Sequence, residues 1–217
     1  SSGHLEVDEV LNDGQGESTA FAEVVASPLP FQLPKLSPLQ LQLLNNGERI
    51  QEQSKMGREG SGYVVLDVDA PDHIVWECLL DFENYVDYIG TVRSLQLLEK
   101  NGSGTYGAPS QTRARFVLSK FRLNICATHS YTPHPDGHYM EFCLDKSSKG
   151  VVFQDAKGIW YTQRISASTT RVWLLCELKV SSVLPTFIVD YAAKRAMPRA
   201  STWIRPTVEA KKRQLGI

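Results

Sequence analysis

The alternation of apolar and polar positions starts in earnest near residue 60. From Tyr63 to Ala70, Val64, Leu66, Val68 and Ala70 fall on one face and Tyr63, Val65, Asp67 and Asp69 on the other, which predicts a half-buried strand. Pro71 and Asp72 then open a helix whose apolar residues Ile74, Val75, Cys78 and Leu79 recur at helical spacing through Leu80. A second short helix is expected over 82–89, ended by Gly90. Strand patterns follow at 92–99, 111–119, 121–132, 138–146, 151–165 and 169–180, separated by turn sequences such as Asn101–Gly107 and Pro135-Asp136-Gly137. Spacing this tight leaves no room for crossover helices, so the sheet should be mainly antiparallel. A final helix is expected over 184–214, with Leu184, Phe187, Ile188, Tyr191 and Ala192 on one stripe. Pro198 and Pro206 lie too deep for it to run unbroken, which predicts a kink or a second helix around Trp203 and Ile204. The order describes an α+β domain whose curved antiparallel sheet wraps around a long C-terminal helix.

Residues 1–60 read differently. They hold two of the 20 aromatic residues, Phe21 and Phe31, and none of the Trp or Cys. Glu6, Asp8, Glu9, Asp13, Glu17 and Glu23 occur before the first basic residue, and 27–38 carries four prolines. This is the composition of an extended, acidic, Pro-rich arm, either wrapped on its own domain or pinned by partners. One short helix is expected within it near 38–46, with Ser37 as N-cap, Pro38 in the first turn and Asn46-Gly47 as the stop. The division is therefore an arm at 1–60 and a domain at 61–217. No basic n-region with an apolar h-region opens the sequence, and a start at Ser1 fits a processed organelle protein as well as an expression scar.

Composition narrows the function classes. With 217 residues, 42% hydrophobic and 22% charged, the chain can bury one sizeable core. A net charge of −1 removes the cationic field on which non-specific nucleic-acid binding depends, so no nucleic-acid partner is expected. No apolar run reaches the roughly 18 to 20 residues of a membrane-spanning helix, leaving peripheral association as the expected mode of membrane contact. Cys78, Cys126, Cys143 and Cys176 are widely spaced and lie in apolar runs, which suits buried free thiols in the cytosol, mitochondrial matrix or plastid stroma.

Candidate chemistry is sparse. His134-Pro135-Asp136-Gly137-His138 places two imidazoles and a carboxylate within five residues, but Pro-Asp-Gly is ordinary turn chemistry and the spacing matches no standard zinc motif. His4, His73 and His129 are too scattered to supply a third ligand from sequence. Gly57–Gly62 is glycine-rich but precedes its strand, the wrong order for a phosphate loop. No nucleophile elbow, P-loop or HExxH occurs, so no catalytic or metal residue is assigned and no enzyme activity is expected. Arg113, Arg115, Arg122, Glu141, Glu177 and Lys179 read either as cavity groups for a polar head or as charge pairs on a wet sheet face. Trp173 and Leu175 share the face of Glu177 and Lys179, which suggests that this outer face is partly covered. Lys194, Arg195, Arg199, Arg205, Lys211, Lys212 and Arg213 make a basic tail, a docking surface or a helix end suited to its dipole.

The Ala70-Pro71 step before the first helix, Val75-Trp76-Glu77, Asp81-Phe82-Glu83-Asn84-Tyr85 and Val92-Arg93-Ser94, followed by the meander and 188–204, resemble the coenzyme-Q-binding START-like branch of the polyketide cyclase/dehydrase and lipid-transport superfamily (SRPBCC), plastid members in particular. The resemblance covers about 61–206. It implies a helix-grip fold with an apolar cavity between sheet and C-terminal helix. The candidate ligand-binding set is Phe82, Tyr85, Tyr88, Phe116, Leu118, Leu123, Ile125, Met140, Phe142, Trp160, Leu174, Phe187, Ile188 and Tyr191, which reads equally as cavity lining or plain core. The implied ligand is a lipid, quinone, carotenoid or chlorophyll-type pigment. The implied setting is the plastid stroma or the stromal surface of the thylakoid, with the mitochondrial matrix as alternative. Two further readings stay open: an accessory subunit of a photosynthetic membrane complex (a photosystem, on its stromal side) held by the arm and basic tail, and a cyclase/dehydrase-type enzyme.

Overall fold

A computed structural model describes residues 28–118, 122–145, 153–186, 189 and 199–217. Helix α1 (Pro38–Asn45) begins with the expected cap: Ser37 Oγ accepts from the Gln40 N–H, and the Gln40 side chain accepts from the Ser37 N–H. Two strands follow, β1 (Arg49–Met56) and β2 (Glu59–Val68), joined through Gly57 at φ +60°, a left-handed turn that glycine adopts without strain. β1 is a departure from the arm expected up to residue 60. Only Ile50 on it is buried, so the sequence lacks the alternation that marks a strand; backbone pairing to β2 holds it at the sheet edge.

Helix α2 (Asp72–Leu79), a 3-10 turn at Phe82–Asn84 and the single-turn helix α3 (Tyr85–Tyr88) carry the chain from β2 to the opposite edge of the sheet. From there β3 (Val92–Asn101), β4 (Gln111–Leu118), β5 (Leu123–Thr132), β6 (Tyr139–Leu144), β7 (Phe153–Arg164) and β8 (Thr170–Val180) run back as an antiparallel meander. Because β8 closes against β2, the order is β1-β2-β8-β7-β6-β5-β4-β3, with every pair antiparallel.

At the C-terminal end, helix α4 (Ile204–Leu215) starts after a turn at Thr202–Trp203. Pro206 is its third residue, where a missing N–H costs no helical hydrogen bond, and Gly216 ends it at φ +72°. The interruption expected around Trp203 and Ile204 is therefore present. Trp203, Ile204 and Val208 are buried with α2 and the sheet in the main core, and Lys211 Nζ reaches Glu77 Oε2 of α2 at 3.2 Å.

The side chains of the sheet divide between two faces. On the concave face Val64, Leu66, Ala114, Phe116, Met140, Trp160, Val172 and Leu174 pack under the helices. On the convex face a second cluster forms from Ile50, Val65, Tyr139, Tyr161 and Trp173, closed by Leu29, Phe31, Leu33 and Leu36 of the arm and by Leu43 and Leu44 of α1. From residue 28 onward the arm thus lies on its own domain. Phe31 meets Tyr139 and Tyr161 edge-on at 5.4 and 5.5 Å.

The rest of the convex face is ionic. Lys157 pairs with Glu177 at 2.8 Å, Lys179 with Glu59 at 2.7 Å, and Arg113 with both Glu99 and Asp145. Cross-strand pairing is thus the role of Arg113, Glu177 and Lys179 among the charges that could have lined a cavity, and Trp173 and Leu175 are covered as their face suggested. The four cysteines are free thiols, but only Cys78 and Cys126 are buried: Cys176 is half-buried, and Cys143 is exposed, since its position in β6 turns it to the convex face with Glu141.

Candidate functional site

The concave face is assembled by alternation in the six strands between the sheet edges, β2 and β4 to β8, and roofed by α2, the 82–88 segment and the start of α4. Trp76 anchors the roof. It is fully buried, stacks edge-on against Tyr131 at 4.9 Å, and donates its indole N–H to Thr162 Oγ1 at 2.7 Å. Thr162 is itself fully buried on β7, so each of the two polar groups is satisfied by the other in an apolar setting.

Of the candidate lining residues, Phe82, Tyr85, Phe116, Met140, Trp160 and Leu174 are buried in the main cluster, and Tyr88, Leu118, Ile125 and Phe142 pack against it partly buried. Leu123 is half-buried at the start of β5 and is not among the residues packed there. Phe187, Ile188 and Tyr191 lie outside the described residues. Register explains part of the grouping: Met140 opposes both Tyr131 and Trp160, and Phe142 opposes His129 and Gly158. A Cβ at residue 158 would lie 2.3 Å from the Phe142 ring, so Gly158 is what lets that ring lie flat over β7.

Three residues join the site that the lining set omitted. Trp203 stacks on Tyr88 at 6.0 Å with planes 9° apart and approaches Tyr85 at 5.4 Å and Trp160 at 6.4 Å. Tyr131 is buried between Trp76 and β6. His129, 8% exposed, sits among Phe82, Phe116 and Phe142 at ring distances of 4.8, 5.7 and 5.9 Å. Its signal was available in its parity with Leu123 and Ile125 along β5. Burial drives its pKa down to about 4, only partly opposed by a hydrogen bond with the Thr112 backbone, so the ring is neutral at physiological pH.

Hydroxyls at the roof are tied back to the protein. Tyr85 donates to the Leu79 carbonyl and Tyr88 to Asp81 Oδ2 at 2.7 Å, and burial raises the pKa of both. Cys78 and Cys176 are pushed up to about 11, chiefly by burial, which keeps them as inert thiols.

The His134–His138 segment behaves as a turn. The Asp136 N–H donates to His134 Nδ1 and the His134 N–H to His138 Nδ1, both at 3.2 Å, so each imidazole spends a nitrogen on its own loop. His138 Nε2 stands 3.6 Å from Asp72 Oδ2, too far for a good hydrogen bond. Burial lowers the His138 pKa, with Asp72 opposing. Among the described residues no group of three His, Cys, Asp or Glu side chains could hold a metal. A surface recess of about 310 Å3 lined by Lys100, Gly102, Ser103, Gly104, Gly107, Ala108 and Pro109 lies in the β3–β4 loop, away from the concave face.

The basic tail is partly consumed by the fold. Arg205 donates to the carbonyl of Asp67 at 3.0 Å, and Lys212 to that of Asp69 at 2.5 Å. No helix among the described residues is long and apolar enough to cross a membrane.

Comparison with known proteins locates the fold. No protein-family model and no curated sequence matches the chain. Among solved structures, it is similar to a STAR-related lipid transfer protein from Xanthomonas axonopodis (TM-score 0.56, 12% identity, covering 73% of this chain and 98% of that one). It is also similar to human STARD10 (0.55, 13%, 85% of each chain) and to the Zhui aromatase/cyclase from Streptomyces (0.52, 13%, 77% and 96%). The chain has the START-like helix-grip fold that its sequence resembles.

Proposed function

We propose that this protein is a non-catalytic binding domain that holds one hydrophobic molecule between the concave face and the C-terminal helix. The observation that carries the reading is the aromatic concave face itself. Phe82, Phe116, Phe142, Trp160 and Trp203 converge there, whereas Arg113 of β4, Lys157 of β7 and Glu177 and Lys179 of β8 form ion pairs on the opposite face. Such a surface suits the ring or chain of a lipid, quinone or pigment. One structural neighbour is a STAR-related lipid transfer protein, which agrees with this class of ligand.

The aromatase/cyclase neighbour supplies the competing reading, in which a cavity acid or base would act on a polyketide-like substrate. Proton transfer is best served by a group whose pKa lies near the working pH, and His129 at about 4 is a poor base packed against phenyl rings. The accessory-subunit reading relied on an arm threading between neighbours. In the described part of the arm, Leu29, Phe31, Leu33 and Leu36 pack on the domain's own sheet, which favours the binding reading. A plastid setting is consistent with the sequence resemblance.

The test is native purification followed by organic extraction and mass spectrometry of the bound fraction. One equivalent of a neutral hydrophobic molecule is expected. Turnover of a polyketide-like substrate with loss of water, abolished by His129→Phe, would replace the carrier by the enzyme.

A further inference from the structure

His129 is a polar residue on a largely apolar surface. The concave-facing positions of β4, β5 and β6 hold no Asp, Glu, Lys or Arg; the charged residues of these strands, Arg113, Arg115 and Glu141, alternate to the other side. Within this surface the imidazole is enclosed by three phenyl rings; the ring makes one hydrogen bond, with the Thr112 backbone, and its Nδ1 is buried with no hydrogen-bond partner. A buried polar atom left unpaired is costly, and in a native fold it calls for a partner. A plain core position would be filled more favourably by Leu or Phe.

We propose that His129 is the polar anchor of the ligand site, hydrogen-bonding the hydroxyl group of an uncharged, ring-bearing hydrophobic molecule. This inference rests on the binding reading above and specifies its ligand class. The three phenyl rings favour a flat aromatic or polycyclic body, to which their faces and edges are complementary. A hydroxyl suits this neutral imidazole, because the ring's one N–H is turned to the Thr112 backbone and the hydroxyl can donate to the bare Nδ1. An anionic head is disfavoured, since no cation on these strands faces it and desolvating the charge would be uncompensated.

The test uses three fluorescent probes of one shape: 2-naphthol, naphthalene and 2-naphthoate, titrated into wild type, H129F and H129Q. Wild type should bind 2-naphthol about tenfold more tightly than naphthalene, the range of one buried hydrogen bond, and should bind 2-naphthoate more weakly than 2-naphthol. H129F should bind 2-naphthol and naphthalene alike, and H129Q should recover part of the preference. An unchanged preference in H129F overturns the anchor while leaving the binding reading standing. Failure of wild type to bind either neutral probe overturns both. Should H129F fail to fold, the ring 15N shifts of His129 in wild type decide: 2-naphthol must move them and naphthalene must not, and equal shifts overturn the assignment.

Discussion

The concave and convex faces belong to the same eight strands, yet they are buried by different means. The concave face is closed by helices that follow and precede its strands directly, and it buries large side chains completely: Trp76, Ile74, Leu79, Met140 and Ile204 are all 2% exposed or less. Apolar area on the convex face is limited to a patch around Tyr139, Tyr161 and Trp173, and the lid over that patch comes from residues 29–44. Beside it the face carries ion pairs in water. Burial on the concave side is thus inseparable from folding the sheet, whereas on the convex side a sheet that has already formed is covered by an added segment.

The comparison is broken most directly at Trp76. Replacing it by alanine removes a fully buried indole, opens a large cavity and strands the Thr162 hydroxyl, a loss of about 3–5 kcal/mol. Domain stabilities are about 5–15 kcal/mol, so a large fall in the urea midpoint is expected. A cost no greater than that of the convex-face change below would mean that the concave face is not the principal core.

Acid should attack the concave face selectively through His129. Its folded pKa is depressed to about 4 from an unfolded value near 6.5, so below pH 6.5 the unfolded chain takes up a proton that the folded chain refuses. The stability present above pH 6.5 is therefore lost as pH falls toward 4, by about 3 kcal/mol in all, and the effect saturates below that. Urea unfolding of wild type and His129→Leu at pH 7, 5.5 and 4 checks this: the variant should lack this part of the decline. Parallel declines in the two proteins would place the acid sensitivity elsewhere.

What the sequence disclosed tracks these two modes of burial. β2 to β8 could be read to within a few residues because a strand with one dry face must alternate, and the break near Trp203 followed from Pro198 and Pro206. β1 could not, because Arg49–Met56 is an edge strand with one buried side chain and no alternation to detect. In the lining set Phe116, Met140, Trp160 and Leu174 occupy alternating strand positions, Phe82 and Tyr85 belong to the helical 82–88 segment, and all six group in the main core. His129 shares that parity and was passed over because it is polar. Trp203 depended on how the chain re-enters after residue 198, which no local pattern encodes. For the arm, Phe31 among prolines signals that something will be covered, but whether it covers its own domain or a partner is decided by a surface 108 to 142 residues away in sequence, at Tyr139, Tyr161 and Trp173.

The convex lid sharpens the contrast at a smaller scale. Phe31 is half-buried and owes its place to two edge-on contacts, so Phe31→Ala should cost about 1–2 kcal/mol. The effect should also be local. Hydrogen exchange ought to accelerate over residues 29–36 while the amides of β5 and β6 stay protected, and Trp173 fluorescence should shift toward that of a wetter indole. Exchange that rises uniformly instead would show that the lid folds as one unit with the sheet.

The smallest effect is expected where the convex face is open. Lys157 and Glu177 meet at 2.8 Å, but both side chains are more than half exposed, so their attraction is screened by water and salt and offset by the entropy of holding two long side chains still. Lys157→Ala should leave the urea midpoint where it is, at low and high salt alike. The pair also sits beside the lid on β7 and β8, two residues along from Ile159 and Leu175. A drop in stability that matches Phe31→Ala, and that fades in high salt, would therefore mean that the ladder helps to seat the lid and that the convex face is one cooperative surface rather than a covered patch next to a wet one.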